Sequence, residues 1–265
     1  MAFRLSYKLV GFCLALALCG CSPYLYVPNP TNVPLPYSKN EIKASGSLSS
    51  AGLCFQGSYA LTNKIVLSGT YIGLNGNPDS TNLRGINQFG AIGIGYYKTW
   101  KGFRFEALGG FGIGNSYVNC NVKNPSFGVS GGQTGYSVNN NYSSSTIQLD
   151  GGIFGKYIEA GISLKLNYLG MYNEWYYIYD LSNDGKTIFD EQSLQLPSNV
   201  FLFEPAYFFS VGLKHVKFIL STGASIVLGP QSKYWNDKNL NEGGFLSEGI
   251  IIDLFRESKE KKVLK

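Results

Sequence analysis

Residues whose types and spacing could carry out a reaction are few in this 265-residue chain. The segment 128–132 has the G-x-S-x-G spacing of a nucleophile elbow, in which Ser130 would attack a carbonyl carbon. That motif also needs a strand–turn–helix setting and a histidine with an acidic partner. Ser130 instead lies in a stretch rich in Gly, Ser and Asn, and His215 is the only histidine. Cys54 and Cys120 lack the C-x-x-C spacing and neighbouring histidines of a zinc site. We therefore predict no enzyme activity, no cofactor and no metal site.

The composition favours a single all-β domain. The chain is 15% aromatic and only 15% charged, whereas disordered chains have few aromatic residues and many charges. Coiled coils are rich in Ala, Glu, Lys and Leu, and small disulfide scaffolds carry more cysteine than the 5 residues present here. A formal net charge of +5 is too small to predict nucleic-acid binding. The length suits one large β domain.

The beginning of the chain has the order of a secretory signal. Arg4 and Lys8 precede an apolar run over 9–18 that is too short to cross a bilayer. The run ends in the letters L-C-G-C, the last of which is Cys21, and this resembles the lipobox of bacterial lipoproteins. The resemblance implies that residues 1–20 are removed and that Cys21 is acylated and becomes the mature N terminus. An ordinary cleaved signal followed by a chance cysteine is the alternative.

Residues 21–40 form a proline-rich stretch with Pro28, Pro30, Pro34 and Pro36. Such chains favour the polyproline II conformation, so we predict a semi-rigid periplasmic tether between the acyl anchor and the folded body. The resemblance to bacterial lipoproteins implies that the non-acidic residues after the cysteine permit transfer to the outer membrane, with the anchor on the periplasmic side. At the other end, the charged residues 256–265 are predicted to be a solvated periplasmic tail.

From residue 41 to residue 255 the hydrophobic pattern has a period of two, which is typical of β-strands. Ten segments show this pattern, and each is about long enough to cross a bilayer as a tilted strand of ~9–11 residues. They are 41–49, 52–61, 64–74, 87–98, 102–115, 145–156, 157–171, 200–213, 215–228 and 245–255. We predict an all-β fold, an antiparallel up-and-down transmembrane β-barrel of about ten strands, with about eight to twelve compatible with the pattern.

Charged residues in these segments fall on the phase opposite the bulky apolar residues. They are Lys43, Arg104, Glu106, Asp150, Lys156, Glu159, Lys165, Glu204, Lys217 and Asp253. In a soluble β-sandwich this phase would be the solvated surface, and the apolar phase would form the core. In a membrane barrel it would line the lumen, where opposite charges on neighbouring strands can pair. The period alone leaves both interpretations open.

The lengths of the connections favour the barrel. Connections after the second, fourth, sixth and eighth segments are tight, and His215 lies in one of them. The long connections are 75–86, 116–144, 172–199 and 229–244. Transmembrane barrels have short periplasmic turns and longer extracellular loops, whereas a Greek-key sandwich has no reason to alternate its connections so regularly.

Aromatic residues crowd two of the predicted extracellular loops. They are Trp175, Tyr176, Tyr177, Tyr179, Tyr234 and Trp235. Aromatic side chains with hydrogen-bonding tips anchor recognition surfaces and sugar-binding sites, so we predict a role in recognition. A belt at the membrane interface is the alternative.

The layout from Cys21 to Phe255 resembles the small bacterial outer-membrane β-barrel proteins, in particular the lipid-anchored barrels of unknown role in the Bacteroidota. The resemblance covers the arrangement of segments and includes no functional motif. Many such barrels end on an aromatic residue that the assembly machinery reads, whereas Phe255 is followed by the charged tail. The oxidising cell envelope would also permit a disulfide between Cys54 and Cys120, which the sequence leaves open.

These patterns predict a non-enzymatic structural or interaction component of the Gram-negative outer membrane. Its expected partners are outer-membrane lipid and an envelope protein or surface glycan, without nucleic acid. A ten-stranded barrel is only slightly wider than the eight-stranded size that side chains fill, so we do not predict a general porin. The alternatives are a narrow channel or transport protein and a soluble periplasmic binding lipoprotein. A hydrolase that uses Ser130 and His215 is more distant.

Overall fold

The computed structural model of the chain describes residues 30, 36, 38–49, 52–76, 83–100, 102–123, 133–155, 157–181, 187–190, 199–213, 215–229 and 243–255. Within these residues it contains eleven β-strands: β1 (Ile42–Ser49), β2 (Gly52–Ala60), β3 (Ile65–Gly76), β4 (Leu83–Trp100), β5 (Phe103–Lys123), β6 (Gln133–Phe154), β7 (Ile158–Leu181), β8 (Thr187–Asp190), β9 (Asn199–Gly212), β10 (Val216–Leu228) and β11 (Gly243–Phe255). No helix in this part of the chain has the length and apolar character needed to cross a bilayer.

The strands close into a barrel. Each strand from β1 to β7 pairs with the next one in the chain, and the sheet continues from β7 through β9 and β10 to β11. β11 then pairs with β1 and places Lys43 opposite Asp253, which joins the two ends of the sheet. Among the described residues the short β8 pairs only with β7, so ten strands form the wall. The predicted antiparallel up-and-down barrel of about ten strands is confirmed.

The wall carries its apolar side chains on the outside. β9 alternates strictly, with Phe201 56% and Tyr207 65% exposed while Leu202 and Glu204 are buried. The same alternation leaves Phe, Ile, Leu and Tyr side chains exposed around the whole barrel. A soluble sandwich would bury this apolar phase and hydrate the charged phase. The structure has the opposite arrangement, so the soluble alternative is wrong and the outer face suits lipid.

The apolar outer face has the height of a bilayer. On β5 it runs from Phe103 to Ile113, both exposed, and on β6 it runs from Ile153 to Ile147. The β5 span matches the ~9–11 residues that a tilted strand needs to cross the hydrocarbon region. Because β5, β6 and β7 contain 21, 22 and 24 residues, they continue well beyond this belt.

Short and long connections lie at opposite ends of the barrel. The short ones are 61–64, 101–102, 155–157 and 213–215, and we call this the turn end. The opposite end, which we call the loop end, holds the connections 77–82, 124–132, 191–198 and 229–242 together with the tight 50–51 connection. The predicted sorting of connections is therefore present.

Three of the predicted loops are wrong in extent. Half of 75–86 is strand, because β3 pairs with β4 as far as Gly76 and Gly85, and the two longest loops differ more. Much of 116–144 and 172–199 is strand: β5 pairs with β6 as far as Lys123 and Gln133, and β6 pairs with β7 as far as Leu181. The residues here are mostly Asn, Ser, Gly and Tyr, so backbone pairing continues after the apolar alternation has stopped. Hydrophobic periodicity in the sequence reveals strands that contact lipid. It does not reveal where those strands continue to pair outside the membrane. We use the name wall extension for the strand residues of β5, β6, β7 and β8 that lie within 116–144 and 172–199.

A charged residue on the lipid face tests the position of the membrane. Leu164 lies near the middle of the apolar span of β7 and is exposed, and Ile158 lies at its turn-end edge. Leu164→Arg is expected to lower the free energy of unfolding by about 2–4 kcal/mol, because a charge at the bilayer midplane must leave water. Ile158→Arg should cost only about 0–1 kcal/mol, because its charge reaches the interface.

The measurement is urea unfolding of both variants in lipid vesicles. Equal losses for the two positions, or no loss at Leu164, would contradict a membrane centred on this part of the wall.

Candidate functional site in the barrel lumen

The interior of the barrel holds a set of buried charged side chains. Nine of the ten charged residues predicted to share the inner phase are buried there: Lys43, Arg104, Glu106, Asp150, Glu159, Lys165, Glu204, Lys217 and Asp253. The tenth, Lys156, lies outside the described residues. Glu41 joins the set and is only 1% exposed. Sequence reasoning missed Glu41, although its place two positions before Lys43 puts it on the same phase.

An ion pair stands at the turn end between β7 and β10. Lys217 Nζ contacts Glu159 Oε1, and both side chains are buried. Ser210 Oγ donates to the second Glu159 oxygen at 3.3 Å, and the Lys217 ammonium also reaches the Gly155 carbonyl oxygen at 3.5 Å. Each charge thus has a partner and a further hydrogen bond, which a buried pair needs to offset desolvation.

A second group of charges lies where the barrel closes. Lys43 Nζ is 3.8 Å from Glu41 Oε1 and 3.9 Å from Asp253 Oδ1. Because Lys43 and Asp253 are paired in register between β1 and β11, this ion pair crosses the closing seam. Beside it the Arg104 guanidinium lies over the Phe154 ring, 4.4 Å from the centroid. A cation over an aromatic face gains electrostatic attraction that strengthens away from water.

The middle of the lumen contains a polar network that spans three strands. Lys165 Nζ lies 2.8 Å from Glu204 Oε2, and Asn167 Nδ2 donates to the same oxygen at 3.4 Å. Ser144 Oγ donates to Asn167 Oδ1 at 2.7 Å. The network ties β6, β7 and β9 together from inside. On β6, Gln148 donates to Asp150 at 2.7 Å.

Toward the loop end the interior holds no charged residue among the described ones and includes an aromatic pair, with the buried polar residues Asn87, Ser116 and Asn140 beyond it. Phe89 stacks on Tyr142 with ring centroids 5.9 Å apart, and Ile72, Leu169 and Leu202 are buried with them. The rings fit because the inner phase of β5 is glycine at this level: a Cβ at Gly112 would stand 2.6 Å from Phe89, and one at Gly114 would stand 2.6 Å from Tyr142. The described lumen is therefore charged toward the turn end and contains an aromatic pair nearer the loop end.

One cavity lies where the charged side chains meet the aromatic pair. It measures about 70 Å³, lies against β3 to β7 and is bordered by Ser68, Thr70, Gln148, Lys165 and Asn167. It has room for a few water molecules and for no larger solute. Pro30 also borders this cavity, so a residue of the predicted periplasmic tether lies inside the barrel.

The formal charges of the described lumen do not cancel. Four of the ten buried charged residues are basic, namely Lys43, Arg104, Lys165 and Lys217, and the other six are acidic. Two of the acids, Glu106 and Asp150, are directly opposite each other in the register of β5 and β6. The described interior thus favours cations over anions.

Solved structures that are similar to the chain share little sequence with it. LpxR from Salmonella typhimurium is 10% identical and covers 81% of this chain and 100% of its own, with a TM-score of 0.33. Acinetobacter baumannii CarO is 12% identical and covers 84% and 100%, with a TM-score of 0.31. A Pseudomonas aeruginosa FadL homologue is 8% identical and covers 81% and 88%, with a TM-score of 0.26. No family model and no curated protein matches the chain. We carry no function over from these proteins.

The predicted recognition residues are only partly described. The backbone of Trp175, Tyr176, Tyr177 and Tyr179 lies in β7 within the wall extension and pairs with β6, so these residues are not in a loop as predicted. Tyr234 and Trp235 lie outside the described residues, as does Cys21. A role of these residues in recognition stays a prediction.

The remaining reactive residues that the structure describes are not brought together. His215 is exposed in the short turn between β9 and β10, and Ser130 lies outside the described residues. Cys54 is a buried free thiol on β2. β3 and β4 separate β2 from β5, which carries Cys120. Three strand spacings amount to about 14 Å, which is beyond the reach of a disulfide. No group of three or more His, Cys, Asp or Glu residues in the described part of the chain could hold a metal ion.

Removing one partner of the Lys217–Glu159 pair tests its contribution. Lys217→Met is expected to lower the free energy of unfolding by about 3–5 kcal/mol, because it leaves the Glu159 carboxylate buried without its cation. The double variant Lys217→Met/Glu159→Gln should recover much of this loss. Lys98→Met, at an exposed position, is the control and should change stability by less than about 0.5 kcal/mol.

Urea unfolding in vesicles gives the three values. If the double variant is as unstable as Lys217→Met, the ion pair with Glu159 is not the reason that Lys217 stabilises the barrel.

Proposed function

We propose that this chain is a non-enzymatic outer-membrane β-barrel lipoprotein that acts as a structural or interaction component and not as an open pore. The observation that carries the proposal is the side-chain filling of the described lumen. Three buried ion pairs join different strands across it, Phe89 stacks on Tyr142 further toward the loop end, and a cavity of about 70 Å³ lies between them. A general porin instead leaves an aqueous channel through its barrel.

The outer face and the sequence of the N terminus support the location. A closed barrel with an apolar belt satisfies its backbone hydrogen bonds inside lipid, as spanning structures must. The L-C-G-C sequence that ends at Cys21 supports an acyl anchor in addition to the strands. The outer membrane of a Gram-negative bacterium would accommodate both the spanning strands and the acyl anchor.

The wall extension is the part of the molecule that we propose to contact a partner. It stands beyond the lipid belt at the loop end, and its β7 portion carries Trp175, Tyr177 and Tyr179 at alternate positions of one strand. Aromatic residues of this kind anchor protein interfaces and stack on sugars. An envelope protein or a surface glycan is the expected partner class.

A narrow channel is the second candidate, and the polar inner phase favours it. The hydrophilic inner surface continues from the charged turn end toward the loop end through Ser68, Thr70 and Asn167. The stacked rings of Phe89 and Tyr142 interrupt this surface toward the loop end. A channel would therefore need a rearrangement of those rings.

Conductance separates the two candidates. The purified full-length protein in planar lipid bilayers is expected to give no stable conductance steps, because buried ion pairs and the stacked rings of Phe89 and Tyr142 occupy the described lumen. A porin of known conductance reconstituted in the same way is the positive control. Reproducible steps from the full-length protein would overturn the closed-lumen proposal and favour the channel.

The role of the wall extension is tested by shortening it. Tyr117 and Asn139 are paired in register, so residues 118–138 can be replaced by the two-residue turn Asn-Gly. The shortened barrel should still migrate differently on a gel before and after boiling. A photo-crosslinker at position 177 in intact cells is expected to give a discrete adduct in the full-length protein and none in the shortened one.

The same crosslinker at Ile158, at the turn-end edge of the lipid face, is the matched control. The absence of an adduct at position 177, or an identical adduct at both positions, would contradict a partner at the extension.

A further inference from the structure

A carboxylate stands on the outer face of the wall. Among the strand residues whose exposure the structure describes, only Lys98 and Glu248 are both charged and exposed. Lys98 lies two residues before the end of β4 at the turn end, where its long stem lets the ammonium reach the membrane interface. Glu248 lies in the interior of β11, on the phase that carries Leu246, Ile250 and Leu254. It departs from the inner placement of the buried charges.

The outer face around Glu248 is apolar on every side. Its nearest neighbours on this face, two along β11 and one each in register on β1 and β10, are all exposed: Leu246, Ile250, Leu48 and Leu220. The exposed apolar phase continues past this level in both directions, to Leu254 toward the turn end of β11 and to Leu228 at the loop end of β10. Glu248 therefore lies within the lipid belt and not at its rim.

The Glu248 carboxylate makes no ion pair and no hydrogen bond with any residue that the structure describes. Glu159 and Glu204, which face the lumen, each have a lysine partner. Ionisable residues inside membranes pair with other polar groups and mark functional sites, because a charge facing lipid costs free energy. The group that balances Glu248 is thus expected to come from outside the described residues.

A row of small residues lies on the same side of the barrel. Ala44 on β1, Gly57 on β2 and Gly69 on β3 are paired in register on the outer phase. A Cβ built at either glycine would meet only a backbone oxygen, at 3.9 Å, so no described side chain covers the row. β1 also carries Leu48, the register partner of Glu248. Small residues let membrane-embedded segments approach one another closely.

The depth of Glu248 decides which cation can reach it. Phospholipid ammonium groups lie in the headgroup layer, outside the hydrocarbon belt. A second copy of this chain, inserted in the same direction, presents Lys98 near the turn end and no other exposed basic residue on the strands whose exposure is described. A membrane-spanning segment of a different protein can carry Lys or Arg at the level of Glu248.

We infer that the outer face from β11 to β3 docks a membrane-spanning segment of another outer-membrane protein, which pairs a Lys or Arg with Glu248 and packs against Ala44, Gly57 and Gly69. The inference rests on the proposed interaction role and deepens it, because it adds a partner within the bilayer to the one expected at the wall extension. The ion pair would fix the height of the partner segment against the barrel.

Crosslinking in intact cells tests this face. A photo-crosslinker at Leu48 is expected to give a discrete adduct with a different protein. Ile147 is the matched control, because it is 64% exposed against 63% for Leu48 and lies on β6, on the opposite side of the wall; it should give no such adduct. No adduct at Leu48, an adduct with lipid, one between two differently tagged copies of this chain, or the same adduct at both positions would overturn the inference.

The charge of Glu248 is tested in the same cells. Glu248→Leu is expected to lower the adduct yield at Leu48 about tenfold or more, because it leaves the partner's cation unpaired in lipid. Glu248→Asp should retain most of the adduct. Mass spectrometry of the adduct is expected to identify a partner segment that contains Lys or Arg. Replacing that basic residue with Glu should abolish the adduct, and Glu248→Lys should restore it. An adduct that persists in Glu248→Leu, or a partner segment without a basic residue, contradicts the ion pair.

The purified barrel, without its partner, tests the depth. Glu248→Leu is expected to raise the urea midpoint of unfolding in vesicles, because it removes a carboxylate from contact with lipid. Lys98→Met is the control and should leave the midpoint nearly unchanged. If Glu248→Leu lowers the midpoint or leaves it unchanged, the carboxylate is not held in the lipid belt and the inference fails.

These outcomes are separate from those of the earlier experiments. Conductance steps from the full-length protein would remove the closed-lumen function, and the absence of an adduct at position 177 would remove the partner at the wall extension. A negative result at Leu48 alone would remove only the docking face within the bilayer.

Discussion

The pairing of β1 with β11 is the constraint on which the rest of the structure depends. A membrane offers no water to backbone N–H and C=O groups, so a sheet can enter lipid only if no edge is left unpaired. The register from Lys43 opposite Asp253 to Ser49 opposite Ser247 provides this closure. Once the sheet is closed, each strand has one face toward lipid and one face toward the lumen. Alternate residues in the sequence then face lipid and lumen in turn.

Closure also decides where the charges must go. The enclosed face receives the side chains that cannot face lipid, and a narrow barrel leaves them little water. Lys165 with Glu204, Lys217 with Glu159 and Lys43 with Asp253 are therefore paired across strands. These pairs by themselves add little to the free energy of unfolding, because the cost of desolvating the charges offsets most of their attraction. Two of them, Lys165 with Glu204 and Lys43 with Asp253, join neighbouring strands in register, so a shifted register there would bury unmatched charges.

Much of this arrangement could be predicted from the sequence. Alternation such as that from Ile158 to Tyr168 defined the membrane strands, and the charged residues between the apolar ones defined the lumen. The wall extension could not be found in this way, because Asn139, Asn140 and Asn141 are in strand without facing lipid. The burial of Pro30 was equally hidden, since proline has the same extended preference in solvent and in a lumen. Only the hydrogen bond between Gln56 and Pro30 distinguishes a proline in the lumen from one in solvent.

The pairing of the first strand with the last has a consequence for biogenesis. Because β1 and β11 meet, the ring cannot be completed until β11 has been delivered, and long-range pairing of this kind is slow. Until then β1 and β11 each present an unpaired edge. Enclosure of the buried charges and sealing of the ring are thus expected to be a single event, performed while the machinery that inserts the strands holds the open edges apart.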